Sequence, residues 1–96
     1  MKVRLTTTIH PYLFQKFRKV CGLKKMSKNL EDILRQYNTD KVCETKRYKQ
    51  VNYSVATTYT IDSQVLDDFI ITIGKGKKST IIGLLIKQYL ERLNEL

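Results

Sequence analysis

Apolar residues along this chain follow two periods in turn, and the switch between them happens twice. From Lys2 to Ile9 the period is two: Val3, Leu5, Thr7 and Ile9 point one way, and Lys2, Arg4, Thr6 and Thr8 point the other. Alternation rich in β-branched residues predicts a half-buried strand. It returns from residue 51 to 61, with Val51, Tyr53, Val55, Thr57, Tyr59 and Ile61 on one face and Asn52, Ser54, Ala56, Thr58 and Thr60 on the other. After each strand the period lengthens. His10-Pro11 and Asp62-Ser63 mark helix starts, since Pro suits the first helical position and Asp is a good N-cap. The stripes that follow are Leu13, Phe14, Phe17, Val20 and Cys21, and then Val65, Leu66, Phe69, Ile70 and Ile73.

Gly22 and Gly74 are expected to end these helices as left-handed caps. Five residues on, Ser27 and Ser79 are placed to N-cap a second helix in each half. Its stripe is Leu30, Ile33, Leu34 and Tyr37 in one half, and Ile82, Leu85, Ile86, Tyr89 and Leu93 in the other. The predicted order is therefore strand-helix-helix, twice.

The two halves are a repeat at an offset of 52 residues. Ten identities fall in residues 3–37 against 55–89, among them Thr6/Thr58, Thr8/Thr60, Phe17/Phe69, Gly22/Gly74, Ser27/Ser79 and Tyr37/Tyr89; chance would give about two. The chain divides into a first copy (1–37), a connector (38–53) and a second copy (54–96). The connector has neither Gly nor Pro, so the helix before it is expected to run some way in, and the second strand could start near Val51. A unit of this size seldom folds alone. A lone strand would also leave N–H and C=O groups unbonded along both edges. The two copies are thus expected to pair their strands antiparallel in one shared domain, or to pair with copies on another chain. The predicted class is mostly α with a short two-stranded antiparallel ribbon.

Charge adds direction. The chain of 96 residues carries a net +9. The first copy holds +7 of this, the connector +2, and the second copy is neutral. Such an excess points to a polyanionic partner, although a Lys-rich surface also accompanies heat adaptation. No run approaches the length of a membrane span and the first residues lack a signal-peptide core, which predicts an intracellular protein without membrane contact. The cysteines and the single histidine have no metal-ligand spacing, so no metal or cofactor is expected. Cys21 aligns with Ile73 and reads as a small core residue, while Cys43 lies in the connector; a bridge between them, or one between chains, is the less favoured alternative in a reducing compartment.

The stretches VRLTTTIHPYLFQKF and GLKKMSKNLEDILRQY, with VATTYTIDSQVLDDF and GKGKKSTIIGLLIKQY, resemble the ribbon-helix-helix family of DNA-binding proteins. The resemblance covers about four-fifths of the chain. A double copy looks like the tandem regulators of archaeal viruses, which would place the protein in a host cytoplasm. Two features depart from the usual pattern: the Gly-to-Ser turn is one residue longer, and Thr7 stands where an aliphatic is commoner. The resemblance implies a duplicated ribbon-helix-helix whose ribbon enters the major groove of double-stranded DNA. Base readers would be Arg4, Thr6 and Thr8 from one strand and Thr58 and Thr60 from the other, with Ala56 limited to apolar contact. It further implies that the N-terminus of each second helix holds a phosphate. Lys24, Lys25, Ser27 and Lys28 surround that point in the first copy, and Lys77, Lys78, Ser79 and Thr80 in the second; Lys2 is a further phosphate candidate.

Other motifs carry less. The run GKGKKST lacks the Gly that a P-loop needs five residues before its Gly-Lys pair, where Ile71 stands. His10 reads as a cap or surface residue. Glu31-Asp32 and Asp67-Asp68 are sequence neighbours that do not share a helix face, so they read as solvated surface, not an acid/base pair. No nucleophile-base set is visible and no enzyme is expected. The favoured expectation is a sequence-specific transcription regulator repressing by occlusion. The alternatives are a non-specific architectural DNA-binding protein and an antitoxin-like interaction module, against which the last helix, running almost to Leu96, counts. The first copy, with its Arg and its excess charge, is expected to dominate DNA contact. Strand pairing within one chain is expected to give unequal half-sites, and pairing between chains a palindrome.

Overall fold

The computed structural model describes residues 1–22, 24–41, 54–74 and 78–95. Strand β1 spans Lys2–Ile9 and is followed by helices α1 (Pro11–Cys21) and α2 (Met26–Asp40). Strand β2 spans Val55–Asp62 and is followed by α3 (Ser63–Ile73) and α4 (Lys78–Arg92). Each helix of the second copy occupies the positions of its counterpart shifted by the repeat offset. Helix α2 runs into the 38–53 stretch as far as Asp40, where Lys41 takes a left-handed conformation. The proposed strand start near Val51, Cys43, and Lys77 lie outside the described residues.

The strands pair antiparallel within the chain, with Thr6 opposite Thr58, Arg4 opposite Thr60 and Thr8 opposite Ala56. Thr6 and Thr58 are equivalent positions of the repeat. A pseudo-two-fold axis therefore passes between them and relates one copy to the other. The inner face carries Leu5, Ile9, Tyr59 and Ile61, all buried, together with Thr7 and Thr57.

That axis explains how the helices pack. Phe17 of α1 meets Tyr89 of α4 edge-on with ring centroids 5.9 Å apart. Tyr37 of α2 meets Phe69 of α3 at the same 5.9 Å. These are one contact seen twice, and each joins the two copies. Phe17 and Phe69 are fully buried, as are Leu30, Leu34, Ile82, Ile86 and Leu90. Asn38 Nδ2 donates to the Val65 carbonyl at 3.1 Å, again across copies. The core belongs to neither copy alone, which answers the size problem of a single repeat.

The starts of α1 and α3 follow expectation. His10 Nδ1 accepts from the Tyr12 N–H at 3.1 Å, ahead of Pro11. The Asp62 carboxylate accepts from the Gln64 N–H at 3.0 Å. The helix ends differ from the reading. Gly22 (φ 76°, ψ 155°) and Gly74 (φ 73°, ψ −155°) have positive φ, but their backbone is extended and not left-handed helical. This region is open to glycine almost alone. Each Gly N–H still closes the last helical turn, on the carbonyl of Arg18 or Ile70. Two stripe positions also differ. Ile70 is 44 % exposed and Leu93 45 %, whereas Leu90 is fully buried. Ile70 sits at the edge of the α3 stripe, and Leu93 lies past the end of α4, where the helical period no longer applies.

Candidate nucleic-acid interface

Alternation of side chains along a strand places residues two apart on one face. The outer face of the ribbon therefore carries Arg4, Thr6 and Thr8 beside Ala56, Thr58 and Thr60, and all six are exposed. The surface is unequal end to end. Arg4 lies across from Thr60 at one end, and Thr8 lies across from Ala56 at the other. At the centre the Thr6 and Thr58 hydroxyls approach to 3.2 Å. One hydroxyl donates to the other, so the pair keeps one O–H and several lone pairs for an outside partner.

Ser27 and Ser79 do something other than cap. The N-cap position of α2 is Lys25, and no side chain caps the helix. Ser27 lies inside the first turn, and its hydroxyl accepts from the Thr60 N–H of the opposite copy at 3.0 Å. Ser79, by the two-fold, lies against the Thr8 N–H at 3.4 Å and also accepts from the Thr7 hydroxyl at 2.7 Å. An edge N–H of each strand is thereby satisfied by the other copy's second helix. The same bonds fix the N-termini of α2 and α4 at the two ends of the ribbon.

Lys24, Lys25 and Lys28 are exposed at the α2 end, which is also the Arg4–Thr60 end. Lys78, half-buried, and exposed Thr80 stand at the α4 end. Among the described residues the ion pairs are Met1–Asp62, Lys2–Glu31, Arg35–Glu31 and Lys87–Glu91. None engages Arg4, Lys24, Lys25, Lys28 or Lys78. The α2 N-terminus adds uncapped N–H groups and the positive end of a helix dipole to its lysines.

Lys2 has a nearer partner than any outside phosphate. Its ammonium donates to Glu31 at 2.6 Å. Glu31 also accepts from the Asp62 N–H at 2.6 Å and from Arg35 at 3.3 Å. Glu31 is only 7 % exposed, which corrects its reading as solvated surface. The Lys2 hydrogen bond is the main cause holding its pKa down at about 2; burial opposes this, and the bonds from Asp62 and Arg35 add to it. The i,i+4 spacing to Arg35 was visible in sequence, but the β2 amide that Glu31 satisfies is reached only through the fold. Asp32, Asp67 and Asp68 are exposed. Cys21 is a free, half-buried thiol whose pKa burial raises.

No protein-family model, curated protein or solved structure matches the chain. Among the described residues no group of His, Cys, Asp and Glu is placed to hold a metal ion, and no helix is long and apolar enough to cross a membrane.

Proposed function

We propose that the chain is a tandem ribbon-helix-helix protein that binds double-stranded DNA by seating the outer ribbon face in the major groove. On this reading it acts as a sequence-specific transcription regulator, repressing by occlusion. The observation that carries the proposal is the exposed Arg4/Thr surface of the ribbon, bracketed by the N-termini of α2 and α4. A two-stranded ribbon fits the width of the major groove. Arg4 donates two hydrogen bonds to guanine O6 and N7, while threonines donate, accept or touch a thymine methyl. The uncapped N-terminus of α2, with Lys24, Lys25 and Lys28, holds a phosphate beside the groove. The α4 end does the same with less charge, so one half-site is gripped harder than the other.

Selection of binding sites from random duplexes, followed by footprinting with excess nonspecific competitor, tests the proposal. The expected outcome is a discrete, non-palindromic site with guanine at one end and affinity falling steeply with salt. Uniform protection would favour an architectural coating protein. Failure to bind any duplex at low salt would remove DNA as the partner.

A further inference from the structure

Away from the ribbon, the two first helices carry opposite surfaces at equivalent positions. On α1 the outward stripe is Tyr12, Lys16 and Lys19, spaced by four and three residues; Tyr12 is half-exposed, and the Lys16 ammonium lies 5.7 Å from its ring centroid. On α3 exposed Asp67 and Ile71 lie four residues apart on one face, with exposed Asp68 at its edge. Ile71 is 79 % exposed, and among the described residues the Asp68 carboxylate accepts a local bond from Gln64 at 2.9 Å. Neither stripe enters an ion pair among the described residues. A single exposed isoleucine means little by itself. Here it stands in an acidic stripe whose complement lies on the same molecule.

We propose that α3 of one chain docks antiparallel on α1 of a second copy. In that alignment Tyr12 covers Ile71, Lys16 lies opposite Asp67 and Asp68, and Lys19 sits one turn further along. Pairing like with like is disfavoured, because it would set lysines against lysines or carboxylates against carboxylates. Each copy offers one stripe of each kind, so the contact is heterologous and does not close at two; it adds copies in a line. The area of one helix pair is small, so association is weak in solution and grows where copies are concentrated on a shared scaffold. The inference does not rest on DNA binding, since the contact needs no duplex.

Sedimentation equilibrium of the full chain in low salt without DNA, up to about 1 mM, tests it. The wild-type mass should rise with concentration past that of a dimer and fall back to monomer as salt is added. Lys16→Glu with Lys19→Glu, and separately Asp67→Lys with Asp68→Lys, should each leave a folded monomer with unchanged thermal melting. Mixing these two variants should restore growth, because each then meets its complement. Ile71→Ser should weaken wild-type association about tenfold. A wild-type chain that stays monomeric, a variant that still associates alone, or a mixture that stays monomeric would each overturn the proposal.

Discussion

The first and second copies share one backbone design and the outward threonines of the ribbon, but differ in most of the charge they show to the outside. The two-fold superposes Phe17 on Phe69, Tyr37 on Tyr89 and Ser27 on Ser79, so the contacts that join the copies are duplicated. The surfaces diverge. Arg4 stands where the second copy has Ala56, Lys19 where it has Ile71, and the buried Glu31 where it has Gly83. Even the inner ribbon is lopsided, with Leu5 against Tyr59 at one end and Thr7 against Thr57 at the other. Residues that join the copies face constraints from both sides, whereas outward residues answer only to what each end of the molecule meets.

The core that both copies share carries the largest expected effects. Phe17→Ala and Phe69→Ala should each cost about 3–5 kcal/mol, by loss of transfer energy and of the edge-on partner. Because the core is shared, either change should lower stability in a single cooperative transition in urea. Two separate transitions, one per copy, would show that the copies are independent units.

The next largest effect separates the copies. Glu31→Ala should cost about 2–3 kcal/mol, because the Asp62 N–H and two cations lose their acceptor together. The pH dependence carries the same signature. The Glu31 carboxyl has its pKa lowered from 4.5 to about 2, with Lys2 the main cause. A depressed carboxylate contributes stability that is present above the unfolded value and lost as pH falls through the folded one. Wild type should therefore lose stability between about pH 4.5 and pH 2. Glu31→Gln, measured by urea midpoints across that window, should show a shallower fall; an unchanged slope would remove Glu31 as its source.

On DNA the difference should appear as a polarised footprint. Arg4→Ala should reduce affinity for the selected site by about 1–3 kcal/mol and relax the preference at one end only. Thr58→Ala, at the centre, should cost less, since the partner hydroxyl of Thr6 remains. Equal relaxation of the preference at both ends by Arg4→Ala, read by fluorescence anisotropy at fixed salt, would remove the asymmetry between half-sites.

Much of this arrangement was legible in the sequence. Strand alternation located the exposed Arg4/Thr face, because side-chain direction in a strand depends only on position. Helical stripes located Phe17, Phe69, Leu30 and Ile82 in the core. The failures are those in which a side chain meets something distant. Ser27 and Ser79 stood where local reasoning expects N-caps, but they bond strand amides 33 and 71 residues away. Glu31 stood beside Asp32 as an ordinary acidic pair, and its burial depends on the end of β2 arriving over α2. Gly22 and Gly74 mark the helix ends in the sequence, yet composition does not distinguish a left-handed from an extended positive-φ glycine.

The smallest expected difference is also the most specific. Ser27 accepts one bond, from the Thr60 N–H at 3.0 Å. Its equivalent Ser79 takes a longer bond from Thr8 N–H at 3.4 Å and a short one from the Thr7 hydroxyl at 2.7 Å. Thr7 is 2 % exposed, and its counterpart in the second copy is Tyr59. Removing Ser79 therefore strands a buried hydroxyl, while removing Ser27 strands an amide at an exposed strand position. Ser79→Ala should cost about 1–2 kcal/mol and Ser27→Ala about 1 kcal/mol or less. Adding Thr7→Val to Ser79→Ala should recover part of the loss, since the hydroxyl left without a partner is then gone. If the two single changes cost the same in urea unfolding, or the double change recovers nothing, the Thr7–Ser79 bond is not what distinguishes the two ends of the ribbon.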